Sequence, residues 1–201
     1  MTSTRRPQAR AVRSLHEVLA AARALFAERE VDDVTIDDVA ARAGRTKGSV
    51  YYHFASKADL FEAVFLSEHR RLVDEVQTTT EGLDPETALR SGLATYLRRI
   101  AADPVAARIT LVQAPAVLGW HRWRECDGGT FRAGITAALV AARDDGRSPS
   151  ELDPEIVADL LLGAVSEAAV SVAGDHDCEG RAVAVIDSLD RLLDGFFRTP
   201  G

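Results

Sequence analysis

Eight residues between positions 46 and 57 have types and spacing suited to gripping a polyanion: Thr46, Lys47, Gly48, Ser49, Tyr51, Tyr52, His53 and Lys57. An ammonium such as that of Lys47 donates to guanine O6 and N7 in the major groove. Gly48 carries no side chain and lets a backbone approach closely, and the Ser49 hydroxyl bonds a base or a phosphate. Tyr51, Tyr52 and His53 are donors of the kind that reach flanking phosphates. Lys57 adds a cation where the amides of a helix start already favour an anion. Lys47 and Lys57 are the only lysines in a chain that otherwise uses arginine.

Such a cluster needs elements that hold it outward. Thr35, with Asp38 three residues on, reads as an N-cap with an acidic partner, the start of a short helix. Val39 and Ala43 then face the preceding helix, and Ala40 is small because the next helix crosses close to it. Gly44 stands where a left-handed residue must end one helix and turn into another. Thr46 caps that second helix and Val50 points back to the core. The spacing of Ala40, Gly44 and Val50 is that of a helix-turn-helix. In this motif the second helix enters the major groove N-terminus first, which brings Thr46 to Ser49 to the base edges.

The run Lys47-Gly48-Ser49-Val50-Tyr51-Tyr52-His53-Phe54-Ala55-Ser56-Lys57-Ala58-Asp59-Leu60 resembles the signature of the TetR family of transcriptional regulators. The resemblance extends over about residues 10–70. It implies an all-α protein with an N-terminal three-helix helix-turn-helix DNA-binding domain over 10–70 (motif 35–54). A helical domain for effector binding and dimerisation would follow over 80–198. It further implies that Thr35, Thr46, Lys47, Gly48, Ser49, Tyr51, Tyr52, His53 and Lys57 are used on DNA. Arg45 departs from the pattern, since the family usually has an apolar residue there; the change loses a packing contact and offers a cation for a phosphate. Asp37 and Asp38 look misplaced on a DNA-facing helix start, and their favourable interaction with the helix dipole is the plain explanation. The competing reading, two packed helices with Tyr51 and Tyr52 in the core, leaves the capped, lysine-bearing first turn unexplained.

Charge supports this division. The chain of 201 residues has a net charge of −7, at first sight unsuited to a nucleic acid. Residues 1–57, however, hold ten Lys and Arg against seven Asp and Glu, a balance of +3, while the remainder stands at −10. Only the N-terminal quarter would meet a polyanion. Apolar residues at 46% suffice for a real core. The first residues lead into no apolar signal segment, and runs such as 160–165 are too short to span a bilayer. Cys126 and Cys178 are the only cysteines, which points to a cytoplasmic protein with reduced thiols.

Apolar residues recur at helical spacing throughout, and no segment alternates as a strand does. About nine helices are expected. One covers roughly 10–29, two short ones form the motif, and a longer one starts near Lys57. Asp84-Pro85, Asp103-Pro104 and Asp153-Pro154 each read as an N-cap followed by proline at the first helical position. They set helices near 85–102, 104–114, 119–145 and 153–173, and a final helix covers 181–197. The last two, with bulky and small residues interleaved, could form a four-helix interface between two copies. Aromatic or polar residues on otherwise apolar helices nominate Tyr96, Gln113, Trp120, Trp123 and Glu167 as an effector pocket for a small apolar or amphipathic molecule.

Asp175-His176-Asp177-Cys178 offers four metal-ligating side chains, but their spacing is that of a solvated loop rather than a zinc site. No nucleophile and base are paired as catalysis requires, so neither an enzyme nor a cofactor is expected. The alternative is a helical small-molecule-binding protein or enzyme in which the helix-turn-helix is only structural. The reading adopted is a ligand-responsive repressor that binds a palindromic double-stranded DNA operator as a homodimer, with no membrane partner.

Overall fold

A computed structural model describes residues 5–149 and 151–197, with side chains at 11–126, 129–149 and 151–197. Among the described residues every regular element is a helix: α1 (Arg5–Glu28), α2 (Ile36–Arg42), α3 (Lys47–His53), α4 (Lys57–Thr80), α5 (Pro85–Ala102), α6 (Pro104–Ala107), α7 (Ala114–Leu118), α8 (Trp120–Asp144), α9 (Pro154–Ala173) and α10 (Cys178–Phe196). That is ten where about nine were expected. The additional one arises because α6 and α7 are joined without a break by a π-helical stretch, Arg108–Gln113. The rod therefore ends at Leu118, not near 114. The wider turn lies just before Pro115, which lacks the N–H that an ordinary α-turn would use there. Gly119, at φ 79°, then ends the rod.

All three Asp-Pro starts are N-caps. Asp84 accepts from the Thr87 amide, Asp103 from Ala106 and Asp153 from Glu155. The last helix begins three residues earlier than expected, because Asp177 caps it by accepting from the Gly180 amide at 2.9 Å. Asp175 accepts from the Asp177 amide and the Cys178 thiol donates to the Asp175 carbonyl. Three of the four possible metal ligands of that loop, Asp175, Asp177 and Cys178, are thus engaged at a helix start.

The N-terminal unit packs α1, α2 and α3 with the first half of α4 around Phe26, Val39, Val50, Leu60 and Phe61, all with essentially no exposed surface. Phe26 and Phe61 meet edge to face, 5.2 Å between ring centroids. The second unit is a bundle of α4, α5, α8, α9 and α10. Helix α4 belongs to both units, and three polar ties lock α1 and the residues just after it to what lies beyond. Arg23 on α1 meets Glu68 on α4 at 3.0 Å and Asp103 at 2.8 Å. Arg108 pairs with Glu30 at 2.7 Å. The Gln113 amide donates to the Phe26 and Arg29 carbonyls at 3.0 and 3.3 Å, closing the end of α1.

Helix α9 is long and apolar enough to cross a membrane by length and composition, with mean hydropathy 1.8 over an 18-residue window. The expectation from sequence weighs only uninterrupted apolar runs and so passes over it. Its Val165, Ala169 and Val172 are buried in the bundle, while Ile156, Leu160 (69% exposed) and Val170 face outward along one stripe. On α10, Ile186, Leu189 and Leu193 are consumed by the chain's own core, while Leu192 (70% exposed) and, on another face, Val183 are exposed.

Candidate nucleic-acid interface and ligand cavity

Local chemistry builds the motif as its residue types require. The Thr35 hydroxyl accepts from the Asp38 amide at 3.1 Å, and the Asp38 carboxylate accepts from the Thr35 amide at 2.9 Å and its hydroxyl at 2.8 Å, a complete capping box. Helix α2 ends at Gly44, φ 62°, a conformation that costs an L-residue about 1–2 kcal/mol. The Arg45 amide reaches back to the Ala40 carbonyl at 2.9 Å and so tightens the turn. Thr46 caps α3 by accepting from the Ser49 amide at 3.2 Å. Ala40 and Val50 are buried at the crossing of the two helices.

What α3 presents outward is the cluster singled out above. Thr46, Lys47 and Gly48 are exposed, as is Thr35 at the start of α2; Tyr51 is 48% exposed and Tyr52 80%. The tyrosines are not core residues. Ser49 is half-buried, its hydroxyl 3.4 Å from that of Ser14 on α1. His53 is half-buried, with its ring edge-on to Tyr52 at 5.1 Å and tilted against Phe54.

The cations of this face are held by intrachain partners. The Lys47 ammonium donates to Asp37 at 2.7 Å, and that carboxylate raises its pKa above the ordinary lysine value. Asp37, expected to act only on the helix dipole, therefore holds the lysine of the next helix. Arg45 binds the Glu17 carboxylate on α1 through two nitrogens. Arg42 makes a two-pronged pair with Glu28 at 2.6 and 2.7 Å. Lys57 donates to the Val31 and Asp32 carbonyls at 2.7 and 3.0 Å, fastening the single 3₁₀ turn before α2 to the start of α4. Two of its three N–H bonds are used in this way. Glu17, Glu28 and Asp37 as partners escaped the sequence reading; for Glu17 the separation of 28 residues gives no local signal.

A cavity of about 160 Å³ opens in the second unit between α4, α5, α8 and α9. Val73, Val76, Leu93, Phe131, Ile135 and Leu162 supply its apolar wall, and Tyr96, Thr80 and Ser166 its polar atoms. Gln77 and Thr130 stand at an exposed rim. Of the five residues nominated from sequence, Tyr96 lines it and four do not. Gln113 is spent on the α1 carbonyls. The Trp123 indole is buried and donates to the Thr110 carbonyl at 2.8 Å. Trp120 is 64% exposed, tilted on Trp123 at 4.9 Å with the Arg124 guanidinium over its ring. Glu167 faces out from α9.

The cavity touches the helix that carries the N-terminal unit. Phe131 meets Tyr96 edge to face at 5.4 Å on one side and His69 of α4 at 5.4 Å on the other, and His69 stacks on Phe65. Beside His69, buried Glu68 binds Arg23 of α1. Burial pushes the Asp103 carboxyl up, but the Ala106 amide, Arg23 and Arg99 outweigh it and hold it below the ordinary value. The Arg23–Asp103 tie is therefore ionised at neutral pH.

Comparison with known proteins agrees with both halves. Residues 18–64 match the family described as "Bacterial regulatory proteins, tetR family", and residues 86–196 match "Tetracyclin repressor-like, C-terminal domain". The chain is 28% identical to the probable acrEF/envCD operon repressor of Escherichia coli K12, over 94% of this chain and 90% of that one. It is 38% identical to the HTH-type transcriptional repressor BepR of Brucella suis, over 80% and 81%. Among solved structures, a SmeT–triclosan complex superposes with a TM-score of 0.77 at 25% identity, covering 94% of this chain and 95% of that one; SmeT is described as the repressor of a multidrug efflux pump of Stenotrophomonas maltophilia.

Proposed function

The chain belongs to the TetR family of bacterial regulatory proteins, and from that premise we propose that it is a dimeric, ligand-responsive repressor working on DNA in the cytoplasm. It is a DNA-binding transcriptional regulator. The observation that carries the reading is the exposed first turn of α3. Thr46, Lys47 and Gly48 are exposed to solvent, Lys47 paired with Asp37, and Tyr51 and Tyr52 flank them. Lys47 reads a base edge, while the tyrosines, Ser49, His53, Thr35 and the free N–H of Lys57 serve the backbone. Arg45 reaches a phosphate only by giving up Glu17. A motif turned out to solvent in this way argues against a helix-turn-helix kept merely as packing.

Two copies pair through α9 and α10, where Ile156, Leu160, Val170 and Leu192 would otherwise remain in water. Two-fold pairing sets the recognition helices one helical turn apart, about 34–36 Å, and asks for a palindromic operator. The relatives named as repressors favour repression. The triclosan bound by SmeT favours a small-molecule effector, and the cavity against α4 is where it would bind. To switch the protein almost completely, the effector must bind one state tighter than the other by about 5.5 kcal/mol.

The test is DNA binding by Lys47→Ala and Tyr51→Phe, with folding checked by circular dichroism. Lys47→Ala is expected to lose discrimination at one base pair, Tyr51→Phe to weaken all duplexes alike. Unchanged affinity and salt slope in both variants would refute the assignment.

A further inference from the structure

We propose that the cavity between α4, α5, α8 and α9 selects uncharged ligands of about one aromatic ring whose polar group is a hydrogen-bond donor. The proposal rests on that cavity being the effector site, and names the chemistry it accepts. None of its lining residues carries a charge. Charged side chains next in sequence to residues around the cavity are engaged elsewhere or turned outward. Glu68 faces Arg23 and Arg71, Arg132 faces Asp159 at 2.6 Å, and Glu167 is on the outer face of α9. An ion entering would lose its hydration and meet no counter-charge, which is strongly unfavourable.

Two of the lining hydroxyls narrow the class further, while the remaining polar groups, Tyr96 and, at the rim, Gln77 and Thr130, are all uncharged. Thr80 donates its proton to the Val76 carbonyl at 2.9 Å, and Ser166 donates to the Leu162 carbonyl at 2.8 Å. With their protons spent along their own helices, both oxygens are left to accept. They suit a ligand O–H or N–H and offer nothing to a carboxylate. In size, an apolar cavity of about 150 Å³ takes up benzene, and this one has about 160 Å³.

Gly134 provides the control. It lines the cavity from α8, and a Cβ there would meet no atom within 4 Å. Gly134→Leu therefore puts a side chain into the open space and replaces a glycine inside a helix, which favours the fold rather than harming it. Ala138→Leu plugs the same space from the next turn.

The experiment measures binding of four single-ring probes to the full chain at pH 7 by calorimetry: p-cresol, toluene, benzoate and N-methylpyridinium. Saturable binding is expected for p-cresol, weaker binding for toluene, and at least tenfold weaker binding for both ions. Gly134→Leu and Ala138→Leu should each cut p-cresol affinity at least tenfold, with no loss of thermal stability in the first. Ions that bind as well as p-cresol, p-cresol binding that survives both plugs, or no saturable binding by any probe would each overturn the proposal. DNA affinity is read separately. If p-cresol binds and is lost on plugging without any change in DNA affinity, the ligand class stands and the effector reading alone falls.

Discussion

Asp37 is a carboxylate on the face proposed to meet DNA, and replacing it with asparagine should tighten DNA binding. Its Oδ2 lies 2.7 Å from the Lys47 ammonium, and both side chains are more than half exposed. On DNA the ammonium must exchange this partner for a base edge or a phosphate, while the carboxylate repels phosphates throughout. The Asp37→Asn substitution keeps the size and removes the charge. One more uncompensated positive charge per subunit steepens the log–log dependence of affinity on salt by about 0.9, and at 150 mM salt this amounts to ~5-fold tighter binding per subunit. Since counterion release is blind to sequence, the gain should be as large on arbitrary duplexes as on the preferred site. Fluorescence anisotropy of labelled duplexes across a series of salt concentrations measures both quantities. An unchanged slope would refute the reasoning. Weaker binding would refute it differently, by showing that Asp37 aims Lys47 into the groove.

Other perturbations follow from the same contacts. Gly44→Ala forces a side chain into φ 62° and should cost about 1–2 kcal/mol in urea unfolding; a neutral result would mean the turn relaxes freely. Gln113→Leu keeps the bulk but leaves the Phe26 and Arg29 carbonyls without their donor, a loss of ~1–3 kcal/mol in the same assay. The Asp84 carboxyl is held down to about 2, from an ordinary 3.8, by the Thr87 hydroxyl and amide and by Arg147. A lowered folded pKa stabilises above the unfolded value and is lost as pH falls through the folded one. The stability gap between wild type and Asp84→Ala should therefore be full at neutral pH and close between about pH 4 and pH 2; a gap that persists below that range would contradict the assignment.

The helix-turn-helix was legible in the sequence because its determinants are local. Thr35 and Asp38, or Thr46 and Ser49, lie three residues apart and bond to each other's backbone, and Gly44 announces its own conformation. The Asp-Pro starts are equally short-range. What escaped was set by distance. Glu17 reaches Arg45 across 28 positions, and Gln113 reaches Phe26 across 87. A polar residue on an apolar helix suggests a pocket, but Gln113 and Trp123 show the commoner outcome, a donor closing a backbone carbonyl. Tyr96 lines the cavity because three helices converge around it, which no spacing along α5 reveals. The wide turn before Pro115 hid the continuity of α6 and α7, since helical periodicity shifts by one residue there.

Selection of bound duplexes from a random library, run in parallel on the wild type and on Lys47→Ala, tests the central claim most directly. A palindrome with half-sites one helical turn apart is expected from the wild type, and the same palindrome with one symmetric position relaxed from the variant. Identical preferences in the two, or no preference in the wild type, would contradict a base-reading role for the first turn of α3.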